Sequence, residues 1–260
     1  MKTYVSNMPL WAIVLFIASF LYSLTFIAKP AKRAALNAGM TPRKASNIQI
    51  GIFAFYLVYL AYVSVLALKG VFHVNALPPK VMVWAGLPLF IILFGFIGNT
   101  ALFKKLLRSI TLDSLVAIHV FRVVGVFFLM LYFYHLLPAS FAVSAETGDL
   151  LTAILALPVA RMVSKAKPFW KPALIAWNIF GMFDIINVLI IASIYAAKTM
   201  AAGPQGGLEE MTLFPFAWFP AFAPATILFL HVTVFRKMAF AGSGRGARKE
   251  IRPGYVSPLA

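Results

Sequence analysis

The sequence predicts an all-α polytopic membrane protein, a bundle of seven transmembrane helices with the N-terminus outside and the C-terminus in the cytoplasm. Three observations predict it. Hydrophobic residues make up 62% of the 260 residues and charged residues only 12%, with a mean hydropathy of +0.90; an average soluble domain carries about 25% charged residues. The apolar residues gather in seven runs, most of them near the ~20 residues of helix that span a bilayer core. The lysines and arginines are distributed asymmetrically: of the 23, eighteen fall in the connections after runs one, three and five and in the C-terminal tail, four fall in the N-terminus and the other connections, and one is Arg122. Lys and Arg collect on the cytoplasmic side of membrane proteins, which sets the orientation.

The same distribution excludes a nucleic-acid role. The formal net charge is +16, but the basic residues sit at the ends of apolar runs, where a membrane protein places them. The expected anionic partners are lipid headgroups at the basic connections and the tail. There is no cysteine, which excludes disulfides, iron–sulfur clusters and thiolate metal sites.

The first run, residues 10–28, follows a short N-terminus with one lysine, Lys2. It is too long for a signal-peptide core and no small-residue cleavage site stands out, so a retained helix is expected. Lys29, Lys32, Arg33, Arg43 and Lys44 follow without an acid. The second run, residues 48–68, places Tyr56, Tyr59 and Tyr62 on one broad face, where they are expected to pack and join an outer aromatic belt, with a ligand-lining stripe as the alternative. A short connection containing His73 and Pro78-Pro79 leads to the third run, residues 81–103, closed by Lys104, Lys105 and Arg108. The fourth run, residues 114–137, is preceded by Asp113, an acid suited to a first helical turn. Residues 138–148 are expected to form an apolar connection, lying in the interface or folded back into the membrane. The fifth run, residues 149–163, is short for a span and contains Pro158; it predicts either a short helix or a discontinuous one. Arg161, Lys165, Lys167 and Lys171 form the next basic cluster. The sixth run, residues 172–197, carries Asn178, Asp184 and Asn187, and the seventh, residues 213–235, carries Pro215, Pro220, Pro224 and His231. Residues 1–241 thus form the membrane domain, and residues 242–260, glycine-containing and basic, read as a disordered cytoplasmic tail.

The fourth run holds the main anomaly. Arg122 lies inside an apolar stretch, where a charge costs ~2.5–3.5 kcal/mol on insertion scales, and arginine does not lose its proton. Something must pair with it. Runs four and six travel in the same direction; Arg122 lies ~12 Å and Asp184 ~18 Å from the start of its run at 1.5 Å per residue. Asp184 is therefore the expected partner, with Gly125 and Gly181 one turn away to let the helices touch. Two readings follow. The pair is structural, with Asn178 and Asn187 completing its hydrogen bonds, or it is a substrate or proton site in which Arg122 grips a carboxylate or phosphate.

His119 shares a face with Arg122, and His231 lies at a similar depth in run seven. A haem or metal held by His119 and His231 is the alternative reading; otherwise no cofactor is expected. His135 is on nearly the opposite face, which disfavours two haems, and His73 and His135 are expected at the outer surface. Glu146 and Asp149 flank Thr147-Gly148 at the outer start of the fifth helix, where they are expected to cap free N–H groups or to bind a cation. The last run has no lysine, which excludes a retinal Schiff base, and HExxH, GxSxG and Gly-rich phosphate loops are absent.

The segments Phe121-Arg122-Val123-Val124-Gly125, Pro138…Gly148-Asp149, Trp177-Asn178…Gly181…Asp184 and Phe214-Pro215…Pro220…Pro224 resemble those of a group of uncharacterised bacterial multi-pass inner-membrane proteins with no assigned activity. The resemblance covers roughly the C-terminal half. It implies a bacterial inner membrane and adds weight to Arg122, Asp149 and Asp184, but implies no chemistry. The expected function is the binding or transport of a small solute, anionic or lipid-like, at a polar site between runs four, six and seven. The alternatives are a membrane redox protein or enzyme using His119 and His231, and a non-catalytic partner or assembly subunit displaying the basic tail.

Overall fold

The structure, a computed structural model, describes residues 4–202 and 207–242. Seven helical segments have the length and apolarity of membrane spans. We label them α1 (Leu10–Asn37), α2 (Pro42–Leu68), α3 (Met82–Asn99), α4 (Leu112–Phe133), α5 (Ala139–Ser164), α6 (Trp170–Ala202) and α7 (Trp218–Gly242). They correspond in order to the seven runs. A short helix, Ala101–Ser109, joins α3 to α4. The expected tail, apart from Gly242, lies outside the described residues.

Local sequence explains the irregular segments. In α3, where Pro88 removes a backbone donor, the winding opens into π turns over Met82–Gly86 and Ile91–Phe96. Asn99 then closes its end by donating to the Phe94 and Gly95 carbonyls, both at 2.9 Å. In α4 the middle of the helix, His119–Val126, tightens to a 3₁₀ helix of 8 residues. Such runs seldom exceed 3–4 residues, and within a longer helix they often mark strain or a hinge.

The fifth helix corrects the expectation. Residues 138–148 are neither a connection nor a re-entrant loop: α5 begins at Ala139, directly after Pro138, and continues unbroken for 26 residues. Alanine-rich sequence supports the helix, and Pro158 is carried inside it, as membrane helices tolerate when neighbours re-satisfy the freed groups. Glu146 and Asp149 are therefore not at a helix start. They lie well inside a span.

The alternation of the helices brings the basic-flanked connections after α1 and α3 to one end, with the C-terminal part of α7. There Asn37 donates to the Ser109 carbonyl, Arg236 to that of Gly98 and Lys237 to that of Arg108. At the opposite end the N-terminal segment is tied to the connection before α7. Ser6 N–H donates to the Phe214 carbonyl at 2.9 Å, Phe214 N–H to that of Tyr4 at 3.1 Å, and Asn7 N–H to Glu210 Oε1 at 3.4 Å. Burial pushes the Glu210 carboxyl above the ordinary carboxylate range, and hydrogen bonds from Ser6 and Asn7 partly offset it. His73 meets Thr212 at this end, and His135 is exposed here.

The helix α7 is central, with 72% of its apolar window buried, and α6 is the most peripheral at 17%. Helix α7 contacts α2, α3, α4 and α6, whereas α6 packs mainly on α5 and α7. Phenylalanines fill the space between α1, α4 and the start of α7: Phe16 meets Phe216 at 4.6 Å and Phe128 stacks on Phe219 at 4.3 Å between ring centroids, the offset and edge contacts that aromatic rings favour. Tyr56 and Tyr59 are buried against α7, where Tyr59 donates to the Ala221 carbonyl; Tyr62 stays exposed. Two of the three tyrosines therefore pack against α7.

Candidate functional site

The tight segment of α4 sets the site. At three residues per turn, His119, Arg122 and Gly125 stand in one row, and the row faces α5, α6 and α7. Arg122 is 2% exposed. Its Nε donates to Asp149 Oδ1 at 2.6 Å and its Nη2 to Asp184 Oδ2. Its Nη1 donates to the Gly181 carbonyl at 3.3 Å and meets His231 Nε2 at 3.2 Å. Every nitrogen of the guanidinium thus has a protein partner. The expected Arg122–Asp184 pair is present, and Asp149 is a second partner from α5.

A polar tier continues behind Arg122. Asn178 Nδ2 donates to the His231 carbonyl at 3.1 Å, which directs Asn178 Oδ1 at His231 Nδ1, 2.8 Å away. An amide oxygen only accepts, so Nδ1 carries the hydrogen and Nε2 accepts from Arg122. Both nitrogens of His231 are in use. His119 lies against it, ring centroids 4.0 Å apart and 35° between planes, and meets the edge of Trp177 at 5.0 Å. Neither His119 nitrogen has a hydrogen-bond partner among the described residues, although the ring is fully buried. Asn187 does not join this network. It sits one turn beyond Asp184 on the exposed flank of α6 and donates to Ser144 Oγ at 3.1 Å, because the side of Arg122 it was expected to serve is taken by Asp149.

Glu146 stands one turn from Asp149 on α5, is 2% exposed, and has no hydrogen-bond partner for either carboxyl oxygen among the described residues. Three of the chain's seven acids, Glu146, Asp149 and Asp184, therefore gather in one cluster, and two of them pair with the Arg122 guanidinium. The residue types around Thr147-Gly148 predict a helix start for the first two, and the structure puts them inside α5 instead. The signal that locates them is the spacing of small residues along α5: Ala142, Ala145, Asp149, Thr152, Ala156 and Ala160 recur every three or four residues and are all buried, which puts both acids on the packed face.

Three glycines, one on each of α4, α5 and α6, make the close approach possible. A Cβ on Gly125 would come within 2.9 Å of Asp149 Oδ2 and 3.0 Å of Glu146 Oε2. On Gly148 it would overlap the Asp184 carboxylate, and on Gly181 it would overlap the His231 ring. Small residues let membrane helices touch; here each also seats a polar group of a neighbouring helix.

Two spaces adjoin the cluster. A cavity of about 20 Å³ lies beside Arg122, Gly125 and Asp149, under Phe121 and Phe222, room for roughly one water. A much larger open groove, about 580 Å³, runs between α5 and α6 and reaches Asp184.

No curated protein and no solved structure matches the chain. A domain family of unknown function, DUF8737, matches residues 78–239, a stretch that takes in α3 to α6, nearly all of α7 and every residue of the cluster. With more than half its length matched, this chain belongs to the DUF8737 family.

Proposed function

We propose that this protein is a multi-pass protein of a bacterial inner membrane, N-terminus outside and C-terminus cytoplasmic, that binds or moves a small cationic solute at the cluster around Asp184. The orientation follows from the charge asymmetry of its connections, whose basic residues also face anionic lipid headgroups. The observation that carries the reading is the imbalance of the buried cluster: three carboxyls share it with one guanidinium, which pairs with two of them, and the third, Glu146, has no hydrogen-bond partner among the described residues. A buried surplus of negative charge is costly unless a cation or proton compensates it. An anionic solute is less well supported, because Asp149, Asp184, Gly181 and His231 already take four of the five donors of Arg122. A haem between His119 and His231 is also poorly supported: rings 4.0 Å apart leave no gap for a porphyrin, and His231 has committed both nitrogens.

The test is a thermal-stability and titration series on the purified protein with ethylammonium, guanidinium and sodium against acetate and phosphate. A cation should stabilise the wild type in a saturable way and have no effect on Asp184→Asn or Glu146→Gln. Saturable stabilisation by an anion alone would overturn the reading.

A further inference from the structure

We infer that the groove between α5 and α6 admits an amphiphile from the side of the bundle, one with a primary ammonium headgroup that docks on Asp184. The inference rests on the cationic reading above and adds the class of solute and its route. It starts from which oxygen is free. Asp184 Oδ2 accepts from Arg122, while Oδ1 accepts no hydrogen bond from the described residues and the residue lines the groove. Thr147 and Asn187 line the same groove. Thr147 Oγ1 spends its hydrogen on the Val143 carbonyl and Asn187 spends one of its two amide hydrogens on Ser144, so each keeps an oxygen that can accept. An ammonium headgroup has three donors and no acceptor, which suits this lining. No Lys, Arg or His lines the groove, whereas the Asp184 carboxylate does, so its charge favours an ammonium over a phosphate or carboxylate headgroup.

The position of the groove argues for an amphiphile over a water-soluble cation. Helix α6 has 33 residues, about 50 Å, and Asp184 lies about 21 Å along it, near the middle of a span. The groove is open along its flank, and its rim is Phe180, Phe183, Val143 and Leu151, with Phe183 67% exposed. Apolar side chains surround a polar floor, which matches a headgroup at the floor and a chain leaving between the rim residues. Asn187 and Thr147 are exposed at this depth, where lipid tails offer their acceptor oxygens no donor; an ammonium headgroup supplies one. The volume, about 580 Å³, falls within the ~300–1,000 Å³ of small-molecule sites.

The experiment uses the full chain, one copy per phosphatidylcholine nanodisc, titrated with dodecylammonium, ethylammonium and dodecanoate while thermal stability is followed. Dodecylammonium should half-saturate at a concentration at least about tenfold below ethylammonium, because the chain concentrates it in the bilayer beside the groove, and dodecanoate should have no saturable effect. Ser144→Phe fills the groove without touching Arg122 and should abolish that advantage; Thr147→Leu, on an exposed position, repeats the test if the phenylalanine variant fails to fold. Equal potency of the two amines, or unchanged dodecylammonium binding in the groove variants, overturns the lateral site but leaves the cationic reading standing. Saturable binding of dodecanoate overturns the choice of headgroup. If neither amine binds, the cationic reading itself fails.

Discussion

Replacing Arg122 should produce the largest loss of stability available from a single side chain in this protein. Arg122→Gln removes the charge that holds Asp149 and Asp184 together and leaves three buried carboxyls facing one another. Removing one partner of a buried pair costs ~3–5 kcal/mol, and because this guanidinium serves two carboxylates the loss should fall at the upper end. A simple pair would be largely rescued by neutralising its other half. Here Arg122→Gln with Asp184→Asn still leaves Asp149 and Glu146 uncompensated, so it should recover only part of the loss. The triple variant Arg122→Gln, Asp149→Asn, Asp184→Asn replaces the network by neutral hydrogen-bonding groups and should return to within ~2 kcal/mol of wild type. Equilibrium unfolding in mixed micelles, followed by tryptophan fluorescence, measures each variant. The reasoning is refuted if Arg122→Gln costs under ~1 kcal/mol, or if the triple variant loses the sum of its single losses, which would show no coupling.

Three further outcomes are expected. Gly148→Ala should cost about 3 kcal/mol or more in the same assay, because its Cβ displaces the Asp184 carboxylate from Arg122; Gly51→Ala, with nothing within 4 Å of its Cβ, should be neutral or gain up to ~1 kcal/mol. The tie between the N-terminus and the connection before α7 should weaken on alkalinisation. The folded-state pKa of Glu210 is raised by burial, so its contribution is fully present below the unfolded pKa and is lost as pH rises through the folded value. Protection factors of the Ser6 and Phe214 amides should fall over that range in wild type and stay flat in Glu210→Gln. The chain has no cysteine, so Lys165→Cys and Val74→Cys report orientation directly: a membrane-impermeant maleimide should label position 74 in intact cells and position 165 only after permeabilisation.

Much of the architecture was legible because hydropathy and helix length answer to the same bilayer dimension. The seven runs became seven long helices, and matched depth with two nearby glycines was enough to pair Arg122 with Asp184. The failure at α5 has a specific cause. Pro138, Thr147, Gly148 and two acids are the residues that start helices and cap them, and read one at a time they imitate a boundary. Read by period, the buried alanines that flank Asp149 reveal the opposite. What the sequence did not carry is winding. Nothing in His-Val-Phe-Arg-Val-Val-Gly-Val announces a 3₁₀ turn, yet that tightening aligns His119, Arg122 and Gly125. Asn187 departs from expectation for a related reason: spacing in the sequence gives depth along a helix but not the face.

The three seated glycines supply a rule for reading other members of the family. Gly125, Gly148 and Gly181 each give up a side chain so that a charged or polar group from the neighbouring helix can occupy the space. Position and occupant are therefore one unit written on two helices. A relative with alanine at the place of Gly148 has no room for a carboxylate at the place of Asp184, and a relative lacking that carboxylate has no need of the glycine. Sequences in which these pairs change together keep the cluster in altered form. Sequences in which one changes alone have rebuilt the interior around a different contact, and knowledge of this site should not be carried over to them.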